Sequence, residues 1–124
     1  MLIVYASKTG QVQRFVDRLN MKAIKIDDTI GIVDEPFVLI TYTTGFGEVP
    51  AEVSEFLRHN KKNLVAVCAS GNRNWKENFA RAANKISYLY NVPILLKFEL
   101  QGDDTDTENF KERVHKLNEV YRAK

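Results

Sequence analysis

Met1-Leu-Ile-Val-Tyr-Ala-Ser-Lys-Thr-Gly-Gln-Val12 is the stretch that decides the fold. Its apolar run, Leu2 to Ala6, is short and unbroken, as in a strand buried on both faces. The run gives way to Ser7-Lys8-Thr9-Gly10, and a helical period starts at once. Val12, Phe15, Val16 and Leu19 fall at i, i+3, i+4 and i+7. Such a strand–turn–helix unit aims backbone N–H groups and the positive end of the helix dipole at one place, which suits an anion, phosphate first among them. Ser7 and Thr9 would add hydroxyl donors, and Gly10 would let the backbone approach closely. Ordinary capping of a helix start accounts for the same residues. The turn has neither the Gly-x-Gly-x-x-Gly spacing nor the Gly-Lys-Ser/Thr ending of the commonest nucleotide loops.

Outward from this unit, strand-like and helix-like segments alternate. Ala23 to Ile26 reads as a second strand that ends at Asp27-Asp28. Only Thr29 to Pro36 separates it from the next, so this second crossover is expected to be abbreviated, with at most a turn or two of helix. Phe37 to Tyr42 reads as a central third strand. After it comes a helix with Pro50 in its first turn and Val53, Phe56 and Leu57 on one face. Leu64 to Ala69 is the fourth strand. Asn74 and Glu77 resemble a capping box, and Trp75, Phe79, Ala82, Ala83 and Ile86 keep helical spacing from there. Pro93 to Phe98 is the fifth strand, Gly102 to Asp106 a turn, and Phe110, Val114, Leu117 and Tyr121 mark the last helix. The expectation is one α/β domain over residues 1–124, a three-layer sandwich whose parallel sheet has the order 2-1-3-4-5.

With 124 residues, 44% hydrophobic and 27% charged, the composition is that of a globular protein. A net charge of +2 without a basic stripe argues against nucleic acid. The apolar runs are strand-sized, so no membrane span is expected. Met1 opening directly into a strand suggests no cleavable leader. The single cysteine, Cys68, sits mid-strand, where an inert packed thiol is the default, and it suits a cytoplasmic protein. His59 and His115 stand on separate helices without partners at ligand spacing, so no metal site is expected.

In the 2-1-3-4-5 order, ligands bind beyond the carboxyl ends of the strands, where the order reverses. Three unusual loops converge there: Ser7 to Gly10, Thr43 to Gly47, and Ser70 to Trp75. A phosphate cradle beside two glycine-bearing loops, each with an aromatic, suits a planar ring tethered to a phosphate, with Trp75 or Phe46 against the ring. Core packing for Trp75 and ordinary turn chemistry for Gly45 and Gly47 are the plainer alternatives.

These loops resemble those of flavodoxins, and more closely the small NrdI flavodoxins that serve class Ib ribonucleotide reductases. The resemblance is carried by Ser7-Lys-Thr-Gly-Gln-Val-Gln-Arg-Phe15, Ile40-Thr-Tyr-Thr-Thr-Gly-Phe-Gly-Glu-Val-Pro50, Ala69-Ser-Gly-Asn-Arg-Asn-Trp75 and Val92-Pro-Ile-Leu-Leu-Lys-Phe-Glu-Leu-Gln-Gly102. It implies a flavodoxin-like fold and one non-covalent FMN. Ser7, Lys8, Thr9, Gly10, Gln11 and Val12 would lie at its phosphate. Tyr42, Thr43, Thr44, Gly45 and Phe46 would run along one side of the ring, and Ala69, Ser70, Gly71, Asn72 and Trp75 along the other. The chain departs from electron-carrier flavodoxins in having Val12 where a Thr is usual, Gln11 where Asn is familiar, and no strong acidity.

The resemblance further implies a redox accessory protein without a small-molecule substrate of its own, in which the flavin does the chemistry. Flavin N5 gains a proton on one-electron reduction, and the peptide around Thr44-Gly45 is expected to turn a carbonyl towards it. With Lys8 and Arg73 nearby, the anionic reduced flavin should be reached without a very low potential. Its reaction with molecular oxygen would supply superoxide or peroxide for the dimanganese–tyrosyl radical cofactor of the reductase small subunit. The partners implied are that subunit, docking around Phe46 to Val49 and Asn72 to Trp75, and a flavin reductase or other electron donor. The alternatives are a general electron-transfer flavodoxin and a flavin-free binding domain on the same fold. A receiver-type phosphoacceptor is disfavoured because the first strand ends without an acidic pair. No Ser-His-acid constellation suggests a hydrolase.

Overall fold

In the computed structural model, which describes residues 1–123, five parallel strands form one sheet of order 2-1-3-4-5. They are β1 Leu2–Tyr5, β2 Ala23–Lys25, β3 Phe37–Thr41, β4 Leu64–Gly71 and β5 Ile94–Glu99. The helices are α1 Gln11–Leu19, α2 Ala51–Asn60, α3 Arg81–Tyr90 and α4 Asp104–Arg122. Parallel strands need crossovers, and the alternation read in the sequence supplies them. The central strands are buried on both faces because each is apolar along its length up to the polar residues Thr41 and Ser70 at their carboxyl ends. Leu2, Val4, Phe37 and Leu39 point to the α2/α3 side, while Ile3, Tyr5, Val38 and Ile40 point to the α1/α4 side. Between β3 and β4 the register slips at Phe37/Val38, leaving Val65 as an extra residue in β4.

On the α1/α4 face, Phe15 stacks on Phe98 with centroids 4.0 Å apart and meets Phe110 edge-on at 5.6 Å. On the other face the β2–β3 connection carries no helix, as its length predicts. It crosses as an extended strap tied down by buried Asn60. The Asn60 Oδ1 accepts the Val33 N–H at 2.7 Å, and its Nδ2 donates to the Gly31 and Phe56 carbonyls at 3.2 and 3.1 Å. A groove of about 560 Å³ lies between strap and α2, lined in part by Ile30, Ile32 and Phe56.

Several boundaries differ from the sequence expectation. No capping box forms at Asn74 and Glu77. A 3-10 segment, Arg73–Asn78, comes first, broken by left-handed Lys76 at φ 52°, and α3 begins only after Ala80, itself at φ 49°. The detour brings Ala80 against Gly71, where a Cβ on Gly71 would lie 2.4 Å from the Ala80 nitrogen. Helical spacing alone cannot register such a break. Pro50 is the N-cap of α2 in extended conformation, not its first turn, and its carbonyl accepts the Val53 and Ser54 N–H groups at 3.0 Å. The expected turn at 102–106 is already helix from Asp104, started by a reciprocal capping box between Asp103 and Asp106.

Candidate functional site

The turn after β1 is anchored by the Ala6 N–H, which bonds the Ile40 carbonyl at 3.0 Å. Gly10 is the N-cap of α1 with φ 91°, a conformation that costs glycine nothing and other residues strain. Neither Ser7 nor Thr9 is the N-cap, but Ser7 Oγ reaches in from outside the helix to accept the Gln13 N–H at 3.1 Å. The amides of Gln11 and Val12, like those at any helix start, have no carbonyl one turn back. Lys8 and Thr9 are exposed beside them.

The loop after β3 is stiff for its size. Thr44 and Glu48 exchange both backbone hydrogen bonds, at 3.0 and 2.7 Å, around Gly45 at φ 54° and Gly47 at φ 92°. The Thr44 carbonyl is therefore engaged with the Glu48 amide. Within this turn the Gly45, Phe46 and Gly47 carbonyls accept no hydrogen bond among the described residues. Tyr42 Oη donates to Glu52, 2.9 Å from each carboxylate oxygen. Burial, then Glu52, pushes the Tyr42 phenol up to about 12, so it stays protonated. Thr43 Oγ1 is buried and has no hydrogen-bond partner.

The loop after β4 is held from the side. Ser70 Oγ donates to the Leu100 carbonyl, the Leu100 N–H donates to Gly71 at 2.9 Å, and Asn72 Oδ1 accepts the Asn74 N–H at 2.9 Å. Arg73 lies 4.5 Å above the Phe79 ring, with Nε 3.9 Å from Glu99, so its charge is shared with a carboxylate instead of facing the loops opposite. Trp75 is about half exposed, not packed in the core. It meets Phe46 edge-to-face at 5.4 Å.

The three loops border one cleft of about 440 Å³. Of the residues expected at a ligand, Lys8, Thr9, Gln11, Tyr42, Thr43, Thr44, Gly45, Phe46, Ser70, Gly71, Asn72 and Trp75 line it. Ser7, Gly10, Val12 and Ala69 do not. The Val12 and Ala69 side chains are buried in the two core layers, so only their backbone faces the loops' ends. Asn78, Ala80 and Leu100 also line the cleft and were not anticipated. The reading of one continuous helix from Asn74 hid the first two. Leu100 lies in the Val92 to Gly102 stretch of the resemblance, which was given no role at the ligand.

A family model described as NrdI flavodoxin-like matches residues 3–112. The chain belongs to that family. A protein NrdI of Macrococcus caseolyticus is 47% identical over 122 residues, covering 98% of this chain and 94% of its own. Its counterpart in Bacillus licheniformis is 54% identical over 115 residues, 93% of this chain and 88% of its own. Among solved structures, a short-chain flavodoxin associated with a bacterial microcompartment superposes with a TM-score of 0.73 at 20% identity, over 96% of both chains. A flavodoxin of Streptococcus pneumonia TIGR4 gives 0.70 at 22%, over 96% of this chain and 97% of its own. Those two likenesses establish the fold, and the family's flavodoxin-like architecture is this chain's architecture. Among the described residues no helix is long and apolar enough to cross a membrane, and no group of three or more His, Cys, Asp or Glu is placed to hold a metal ion.

Proposed function

We propose that the cleft binds one FMN and that the chain serves a class Ib ribonucleotide reductase as its redox accessory protein. The observation that carries the reading is the convergence of three loops on one cleft in a chain of the NrdI flavodoxin-like family. The residues suit the group. Thr43 Oγ1 is an orphaned buried hydroxyl in the cleft wall, and a ligand polar atom would remove the cost of leaving it unpaired. The helix start supplies amides for a phosphate.

In this reading Ser7, Lys8, Thr9, Gly10, Gln11 and Val12 hold the phosphate, the last largely through its amide. Tyr42 to Phe46 and Ala69 to Trp75 bound the ring. Glu52 fixes the Tyr42 ring as a wall by accepting its hydroxyl proton. Phe46 and Trp75 shield the ring from water on the exposed side, and the Gly45 carbonyl is an acceptor free to turn towards it. Flavin supplies electron transfer in one- or two-electron steps and, once reduced, reaction with molecular oxygen to give superoxide or peroxide. That oxidant would serve assembly of the dimanganese–tyrosyl radical cofactor in the small subunit, which docks on the exposed Phe46 and Trp75 edge. A cytoplasmic flavin reductase or other donor supplies the electrons.

The test is a visible spectrum of the FMN-loaded chain through anaerobic reduction and air re-oxidation, with superoxide and peroxide assayed and radical yield measured with the small subunit and manganese. Oxidant release together with a radical is expected. A reduced protein that ignores oxygen would favour the electron-transfer flavodoxin, and a chain that stays colourless with added FMN would end the flavin reading.

A further inference from the structure

The start of α1 gathers charge of the wrong sign. Cations are disfavoured at the positive end of a helix dipole, and acidic side chains usually sit there. The first turn of α1 holds no acidic residue. Lys8 lies just before it and lines the cleft, while the exposed Arg14 folds back over the N-cap residue. A Cβ on Gly10 would lie 3.5 Å from Arg14 Nη1 and 3.7 Å from both Cζ and Nη2, so the guanidinium plane lies over the bare Cα. These are ordinary contact distances, so the guanidinium rests against the turn itself.

Nothing in the protein balances these charges. Among the described residues neither Lys8 nor Arg14 has an ion-pair partner. The nearest acid along the helix, Asp17, accepts from Gln13 Nε2 at 2.8 Å instead. Two cations and a helix dipole facing one turn repel each other until an anion joins them.

We infer that Arg14, together with Lys8, recognises the ligand's phosphate, and that Arg14 is the residue by which the cleft separates a phosphorylated flavin from the same ring without phosphate. The inference rests on the FMN reading above. Arg14 is suited to the task because its planar fork matches two phosphate oxygens at once, whereas Lys8 acts as a point charge. One cation stands on the cleft side of the turn and the other beyond Gly10. The turn thereby offers a doubly charged group what its amides alone do not, two full opposing charges.

The experiment titrates the full-length chain with FMN and with riboflavin, following quenching of flavin fluorescence. Wild type is expected to bind FMN more tightly. Arg14→Gln should weaken FMN roughly tenfold, the loss of a charge-assisted contact, and leave riboflavin within about twofold. Arg14→Lys should recover part of the loss, because the charge returns without the fork. Added salt should weaken FMN binding to wild type more than to Arg14→Gln. Gln is nearly as good a helix former as Arg, and circular dichroism verifies that the helix is intact. Unchanged FMN affinity in Arg14→Gln, or equal losses for both ligands, would overturn the role of Arg14 and leave the FMN reading standing. A wild-type chain that quenches neither flavin would overturn both.

Discussion

Between the sheet and the α1/α4 layer lie three packed phenyl rings, whereas between β2 and α2 runs a strap that hangs on two amide side chains. Phe15, Phe98 and Phe110 are fully buried within the first face, and Gly102 is pressed so close that a Cβ there would come 2.9 Å from Phe15 Cδ1. On the second face Asn60 and Asn63 clamp Val33 from both sides, its N–H and its carbonyl, and an open groove remains beside them. Hydrophobic burial grows with the area removed from water and tolerates local slippage. A buried amide holds a few atoms in one geometry, and fails at once when a partner is lost. This chain closes both faces by bulk, with Phe37, Phe56 and Leu57 on the α2/α3 side, and fixes only the strap by address.

Phe15→Ala should give the largest effect, about 3–5 kcal/mol in urea unfolding, because it empties the space between two rings and lifts the aromatic stack apart. Asn60→Leu is of similar volume but strands the Val33 N–H. It should cost about 2–3 kcal/mol globally and, more tellingly, speed proteolysis within residues 27–35 before the rest of the chain opens. Equal protection of that segment in both proteins would erase the contrast between rings and strap. Asp103→Ala removes the capping box of α4 and should cost about 1 kcal/mol. No side chain caps α2, so no comparable variant exists on the strap side.

The smallest effect concerns Tyr42, where the two core layers meet beside the cleft. Its phenol is raised to about 12 in the folded chain, against the ordinary value near 10. The folded state therefore keeps a proton that the unfolded chain releases first. That stabilisation is complete below about pH 10 and is lost as the pH climbs through about 12. Tyr42→Phe should shift neutral-pH stability by no more than about 1 kcal/mol and flatten the alkaline limb of the stability profile.

The sheet order, the helix-less crossover and the convergence of three loops were all legible, because strand burial, turn composition and connection length are local quantities. The break at Lys76 and Ala80 was not, since it brings Ala80 against Gly71, nine residues earlier, a contact that helical spacing does not register. The same blindness misplaced Trp75 on a helix. Arg73, read as a free cation of the site, is drawn away by Phe79 and Glu99, partners that sequence spacing does not reveal. Arg14 carried no weight in the sequence reading, because its place against Gly10 exists only once the helix start has folded.

Cys68, the single cysteine, lies in the middle of β4 with no exposed surface, and burial pushes its thiol well above the ordinary range. Attack by peroxide requires a thiolate within reach of solvent. In the proposed role, oxidant would be released at the chain's rim while the sulfhydryl stays shut away from it, with no reductant needed to restore that thiol.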